Sequence, residues 1–325
     1  MDAWLKQNLA CPIDHQFLRP ESGALICPSG HQYPVFDDIP ILLPRGVTPT
    51  QKEFQESLRQ TASEGKSPAL KNPPNPERDV DPFVQEAVAA TCGRMYQTLR
   101  GKLRRYPIPD IPLPEGRGKH FLDVGCNWGR WCISAAQKGY AAIGVDHNLQ
   151  AIQAAQRVAR HLGVPSHFLV ADARYLPFAS DCFDTTFSYS VLQHFDEGDA
   201  RFSIREAARV LKTSGTCLIQ MPNTLGPMNL YSQWKRKFRA AIGFEVRYWT
   251  LTQLKKTFEE LVGPTTLFAD GYLSLNPQAI NRNFLPLRYQ FVVSLSESLK
   301  KLSRIVPGLI FFADSVYAHS IRKGD

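Results

Sequence analysis

Two sets of residues in this chain have the types and spacing to do chemistry. Cys11 and Cys27 each stand four residues before a histidine, in "CPIDH" and "CPSGH", which adds His15 and His31. Two such knuckles supply the four nitrogen and sulfur donors of one tetrahedral zinc. Asp14 sits beside His15 and is the alternative fourth ligand; a metal-free hairpin is the alternative to both. The second set begins at "FLDVGCNWGR", where Gly125 and Gly129 bracket a turn and Asn127 lies between them. Glycine tolerates a left-handed backbone best and asparagine next best, and both leave room for a ligand close to the chain. Asp146 in "GVDHN" follows Gly125 by 21 residues. An acid about 20 residues beyond such a turn can hold ribose hydroxyls. Asp172, in "VADARYLPF", can accept from an adenine amino group while Ala173 offers its backbone N–H. Together these residues describe a nucleoside site.

Those residues need elements that bring them together. "HFLDVG", "AAIGVD", "HFLVAD", "FDTTFSYS" and "GTCLIQMP" read as short apolar strands. Between them, "RWCISAAQKG", "LQAIQAAQRVARHLG" and "ARFSIREAARVLK" read as helices, two of them stopped by Gly139 and Gly163. Strands alternating with helices predict an α/β fold with a doubly wound, mostly parallel sheet. In such sheets ligands bind at the carboxyl ends of the strands, where all three motifs fall. Upstream, Val84, Val88, Met95, Leu99 and Leu103 approach a 3.6 period and predict one helix over 82–104. Asp81 caps it and Pro82 opens it.

The chain divides by texture into 1–44, rich in Cys, His and Pro; a polar, Pro-rich linker at 45–80; and the α/β region at 81–325. The seven cysteines are odd in number and mostly in apolar contexts, which excludes a disulfide framework. No apolar run approaches the ~20 residues of a transmembrane helix, and the N-terminus lacks the apolar core of a secretory signal. A cytoplasmic protein is the expectation. The net charge of +8 permits anionic partners, but no long basic block exists.

The ordered motifs "LDVGCNWGR", "GVDHN", "DARYLPFASDCFDTTFSYSVLQHF" and "ARVLKTSGTCLIQMPN", over about residues 118–223, resemble the class I S-adenosylmethionine (SAM)-dependent methyltransferases. The likeness is greatest to the branch with ubiquinone-biosynthesis-type and natural-product enzymes. The resemblance implies a seven-stranded class I sheet and SAM as cofactor. Asp123, Gly125, Cys126, Asn127 and Gly129 would surround its methionine part, Asp146 and His147 its ribose, and Asp172 and Ala173 its adenine. Ser188 to Ser190 would line the methyl end, and Tyr96, on the helix preceding the first strand, would touch the cofactor. Asn127 stands where the family more often has glycine. The turn does not have the G-x-G-x-x-G spacing of a dinucleotide dehydrogenase. The N-terminal knuckles resemble the zinc-binding leader of some bacterial rRNA guanine methyltransferases, which more often begins with Cys-x-x-Cys, and small zinc-ribbon-like proteins ending in an "IPILLP"-type strand.

Methyl transfer from a sulfonium is an in-line displacement, so the protein mainly aligns the reactants. A base helps when the acceptor is a hydroxyl, and His194 in "SVLQHF" is placed for it; the alternative is that it only shapes the pocket. Trp131 reads as core and Trp128, inside the turn, as close to the site. A lid is expected at 223–250, with Tyr231, Trp234, Arg247, Tyr248 and Trp249 as acceptor contacts. An insertion at 274–312 separates the last two strands and carries the stripe Val292, Leu295, Leu299, Leu302 and Val306. Both segments are expected to close over the methyl end. The leading acceptor is a small molecule or a lipid- or glycan-linked metabolite. RNA is the second reading, gripped by the zinc module and "KRKFR", and a non-catalytic SAM-fold partner protein is the third. Oligomeric state is left open.

Overall fold

The computed structural model describes residues 2–21, 23–44, 80–91, 94–274 and 278–324. The expected linker lies outside these residues apart from Val80, as does Cys92.

The chain begins with α1 (Ala3–Asn8), capped by Asp2, whose carboxylate accepts from the Leu5 amide. Four short strands follow: β1 (Arg19–Glu21), β2 (Ala24–Ile26), β3 (Gln32–Phe36) and β4 (Ile39–Leu42). After α2 (Pro82–Thr91) come β5 (His120–Val124), α3 (Arg130–Gln137), β6 (Ala141–Asp146), α4 (Leu149–His161) and β7 (Ser166–Ala171). Next are β8 (Phe183–Tyr189), α5 (Glu197–Val210), β9 (Leu211–Pro222), α6 (Pro227–Lys235), α7 (Leu251–Leu261), β10 (Thr265–Gly271), α8 (Leu287–Ser303) and β11 (Ser315–Ile321).

The α/β region supplies seven strands in the order β7-β6-β5-β8-β9-β11-β10. The first five are parallel, and β11 runs antiparallel to both neighbours. The expectation of a small module set apart from this sheet needs correction. Strand β4 pairs in parallel with β7 through Ile41 opposite Val170 and Leu42 opposite Ala171, so one mixed sheet of eleven strands runs through both regions. The physical reason is the free edge of β7. An unpaired edge leaves a row of amides and carbonyls without partners, and the N-terminal hairpins cover it. The amide of Ala10 donating to Pro177 and that of Ala179 donating to Asn8 extend the junction.

The central strands of the parallel core have two buried sides. Phe121, Phe168 and Phe187 pack with α2, α3 and α4 on one face; Leu122, Leu169 and Val145 pack with α5, α7 and the N-terminal hairpins on the other. The helix expected over 82–104 is shorter. It ends at Thr91, and a 3-10 stretch follows at Arg94–Leu99. Val84, Val88, Met95, Leu99 and Leu103 are nonetheless all buried, because the tighter stretch still turns them to the same face. Asp81 accepts from the Phe83 amide and also pairs with Arg157 at 2.7 Å, tying α2 to α4.

The 274–312 insertion folds as a 3-10 stretch at Ala279–Phe284, α8, and a second 3-10 stretch at Pro307–Phe312. Its apolar stripe differs from the expected one. Val293 and Ser296 make the buried line of α8, while Leu295 and Leu302 are exposed. No helix among the described residues is long and apolar enough to cross a membrane.

Candidate functional site

Strand β5 lies between β6 and β8, where the chain's direction of winding reverses. Open α/β sheets form their ligand crevice at such a point. The turn after β5 has the backbone that the sequence demanded: Gly125, Asn127 and Gly129 all have positive φ, at 80°, 49° and 81°. The amides of Gly125 and Cys126 both donate to the Val145 carbonyl, which fixes the turn against β6. A Cβ on Gly125 would stand 2.2 Å from Val191, and one on Gly129 would stand 2.8 Å from the Phe168 ring. These glycines thus serve close packing as well as turn geometry. Cys126 is buried, and burial pushes its thiol well above the ordinary range.

Three acids stand at adjacent strand ends. Asp123 lies on β5 and is 1% exposed, and neither carboxylate oxygen has a hydrogen-bond partner. Burial pushes its pKa up to about 8; Arg130 opposes this and Asp146 adds to it. The Cys132 amide lies close enough to favour the charged form without making a well-aligned hydrogen bond. Asp146, ending β6, accepts from the Asn127 and Asn148 amides at 2.9 and 2.8 Å. Each oxygen keeps one acceptor position, as two ribose hydroxyls require. His147 stands beside it, with Nδ1 3.6 Å from Asp146 Oδ1. Asp172, just past β7, is held by Arg174 through both oxygens, and Arg174 also pairs with Asp199. Ala173 follows it and is buried.

The methyl end differs from expectation. Ser188 is buried within β8 and donates to the Val124 carbonyl, so it serves the sheet. Ser190, at φ 60°, gives its amide and hydroxyl to Gln220 Oε1. Tyr96 is fully buried, with its hydroxyl accepting from the Gln278 amide at 3.4 Å. Trp128 packs in the core beside Tyr106 rather than at the site, and Trp131 is core as expected but also lines a cavity of about 340 Å³ with Phe268, Asp270, Gln278, Lys300 and Tyr317. A helix residue that packs on the sheet can still present one edge to a cavity, which periodicity alone does not reveal.

A buried polar chain joins Ser190, at the carboxyl end of β8, to this cavity. Gln220 donates to Ser315 Oγ at 2.7 Å, and Ser315 and Tyr189 both donate to Asp270 Oδ2 at 2.6 Å. Gln278 donates to the Tyr189 hydroxyl at 3.2 Å. Burial raises the Asp270 pKa, with the Ser315 and Tyr189 hydrogen bonds opposing it. Sequence reasoning missed Gln220, Asp270, Gln278 and Ser315. The available signal was polar side chains inside apolar strands, Gln220 in "LIQMP" and Asp270 in "LFADG".

His194 stacks on Phe244 with ring centroids 3.7 Å apart. Its Nδ1 donates to the Phe244 carbonyl at 2.8 Å and its Nε2 lies 3.3 Å from Gln193 Nε2. Burial, with Arg247 adding to it, pushes its pKa down to about 4. Both ring nitrogens are engaged and the lowered pKa makes the ring a weak base, so the geometry gives the expected base role no support. Among the expected lid contacts, Trp249 is core and Tyr231 and Trp234 are exposed. Arg247 donates to the His194 carbonyl.

At the other end, Cys11, Asp14, Cys27 and His31 have their donor atoms within 4.8 Å of one another. His31 Nδ1 is 3.5, 3.3 and 3.3 Å from Cys11 Sγ, Cys27 Sγ and Asp14 Oδ2. Metal bonds of about 2.0–2.3 Å in a tetrahedron give donor separations of about 3.3–3.8 Å, so the donor set fits zinc. His15 does not join it. It has φ 57° and its Nε2 lies 3.9 Å from Glu206.

Residues 121–215 match the family model described as a methyltransferase domain. The chain is similar to the uncharacterized methyltransferase YcgJ of Bacillus subtilis, 33% identical over 111 residues, which cover 34% of this chain and 43% of that one. It is 28% identical over 162 residues to the ubiquinone biosynthesis O-methyltransferase of Brucella ovis, covering 50% and 60%. It thus spans about half the length of the curated relatives it matches. The crystal structure of the Bacillus YcgJ protein superposes with a TM-score of 0.44 at 20% identity, covering 65% of this chain and 94% of that one. The similarity to the methyltransferase-domain model is thus carried by a segment of under a third of the chain, the one that holds the turn after β5 and the strand-end acids.

Proposed function

We propose that the protein transfers a methyl group from SAM to a small-molecule acceptor, free or lipid- or glycan-linked. The observation that carries the reading is the row of acids at the carboxyl ends of β5, β6 and β7, around a turn with three left-handed residues. The unpartnered Asp123 carboxylate fits the cationic amino group of the methionine part; Asp146 fits the ribose and Asp172 the adenine amino group. When bound, SAM supplies a methyl group already activated on a sulfonium.

The chain's own work is then to bind, orient and exclude water. The cavity beside Tyr189 has the size and the mixed lining of a small-ligand pocket. Residues 278–310 of the insertion form one of its walls, which supports their reading as a cover. Asp270 is the group we assign to receive a proton from an acceptor hydroxyl. Both its donors reach Oδ2, which leaves Oδ1 for the acceptor, and burial raises its pKa, which makes it a stronger base than an exposed carboxylate. The RNA alternative has less behind it. Within "KRKFR", Arg239 pairs with Glu245 and Arg236 donates to the Val246 carbonyl, so both guanidinium forks are engaged within the chain and only the two exposed lysines are left for phosphates.

Calorimetry with S-adenosylhomocysteine tests the cofactor half. Binding is expected, and Asp146→Ala should weaken it by about 1–3 kcal/mol, the worth of hydrogen bonds to a charged group. A methylation screen with labelled SAM against phenols, amines and lipid extracts tests the acceptor half. No binding by the native protein refutes the reading; binding without turnover in any extract favours a non-catalytic partner.

A further inference from the structure

Sixteen of the twenty-one large apolar side chains exposed among the described residues lie in two stretches, 225–244 and 287–312. Trp234, Phe238 and Ile242 are 64%, 65% and 70% exposed, and Ile305 and Phe312 are 79% and 59% exposed. The two stretches adjoin. The Asn223 side chain donates to the carbonyls of Phe311 and Ala313, and the Met228 and Asn229 amides at the start of α6 donate to Asp314. Helix α8 carries apolar side chains on its solvent side as well as its buried side: Val293 is buried, while Leu287 and Phe291, one turn apart, face solvent. Its exposed side therefore mixes large apolar side chains with cations such as Lys301, the pattern of an interfacial helix.

Charge accompanies this apolar surface. Lys235, Lys237, Lys301 and Arg304 are exposed within it. Glu245 is the sole acid in 223–250 and is engaged by Arg239; Glu297 is the sole acid in 287–312 and is engaged by Lys300. A second copy of the chain would bring like charges face to face. Single-stranded RNA would satisfy the lysines and stack on Trp234 and Phe238, but would leave Ile242, Leu287 and Ile305 in water. An anionic bilayer surface satisfies both sets at once. Apolar side chains enter the headgroup–acyl boundary, and lysines meet the negative surface potential.

We propose that the surface formed by 225–244 and 287–312 docks the protein onto anionic lipid bilayers. The same insertion contributes Lys300, Arg304 and Ile310 to the wall of the cavity. Docking therefore brings the cavity next to the lipid phase, where amphiphilic acceptors concentrate. The proposal stands apart from the methyl-transfer reading and is tested without turnover.

The test is co-sedimentation of the full chain with phosphatidylcholine vesicles, with and without about a quarter of phosphatidylglycerol. Binding at least about tenfold tighter to the anionic vesicles is expected, weakening as salt screens the charges. Tryptophan emission should shift to the blue on binding, and Trp234→Phe should remove most of that shift. Trp234→Ser with Phe238→Ser should abolish sedimentation while leaving S-adenosylhomocysteine binding unchanged. Should that variant fail to fold, Lys235→Glu with Lys237→Glu alters exposed charge alone and should erase the preference for anionic vesicles. Failure of the native chain to sediment with either vesicle overturns the proposal. So does vesicle binding that both double variants retain. Concentration-dependent dimers or salt-sensitive RNA binding, seen without vesicle binding, would reassign the surface to a second copy or to nucleic acid.

Discussion

Asp123 gives the sharpest prediction, because a buried carboxyl without a partner must change its protonation when a cation arrives. Its folded, ligand-free pKa is about 8, against 3.8 for the unperturbed group. At pH 7 about 0.9 of the molecules therefore carry the proton. If the ligand's amino group needs the carboxylate, binding at pH 7 must expel that proton, at a cost of about 1.4 kcal/mol, one pKa unit. Affinity for S-adenosylhomocysteine should then climb about fiftyfold from pH 6 to pH 8. Calorimetry at pH 7 in buffers of different ionisation enthalpy should show release of nearly one proton. Asp123→Asn should bind weakly and with no such dependence. The same shift acts on stability. The unfolded carboxyl ionises near 3.8 and the folded one near 8, so stability is full below 3.8 and is lost as pH rises toward 8. The loss is about 1.4 kcal/mol per unit, or about 4 kcal/mol by pH 7. Denaturant unfolding of the ligand-free protein should show this slope, and Asp123→Asn should flatten it. A native protein whose affinity and proton release ignore pH between 6 and 8 would refute the reasoning, because the carboxyl would then be ionised before the ligand arrives.

Two other outcomes follow from the polar groups. Asp270→Asn should cut turnover by at least about a hundredfold, the usual contribution of a general base, while S-adenosylhomocysteine affinity holds. His194→Gln should leave every inflection of the pH–rate profile in place; the loss of one near 4 would restore the histidine as the base. Protein purified without chelators should contain one zinc per chain by elemental analysis. Cys11→Ser should release it, and His15→Ala should not. Finding no zinc in the native protein, or losing it in His15→Ala, would contradict the ligand set.

How much was legible beforehand depended on distance along the chain. The turn, Asp146 and Asp172 were written in the sequence because each is local, while Asp123 came with the family resemblance. A strand end, a residue tolerant of positive φ and a carboxylate within a few positions suffice, and Asn127 at φ 49° obeys that rule. The alternation of strands and helices likewise fixed the parallel core, since a strand buried on both sides must be an apolar run. Pairings between distant segments were decided only by the tertiary structure. Strand β4 closes the edge of β7, over a hundred residues later, by backbone hydrogen bonds that any side chains can accompany. Asp270, Ser315, Gln220 and Tyr189 meet because antiparallel β10 and β11 return to the edge of the parallel core, and no spacing encodes that return. The choice of Asp14 over His15 beside Cys11, Cys27 and His31 belongs to the same class. Adjacent residues on a tight turn point in different directions, and the backbone at His15, with φ 57°, sends its ring toward Glu206 instead. Residue type and order named the chemistry of each local cradle; contacts made across the fold selected which side chains complete it.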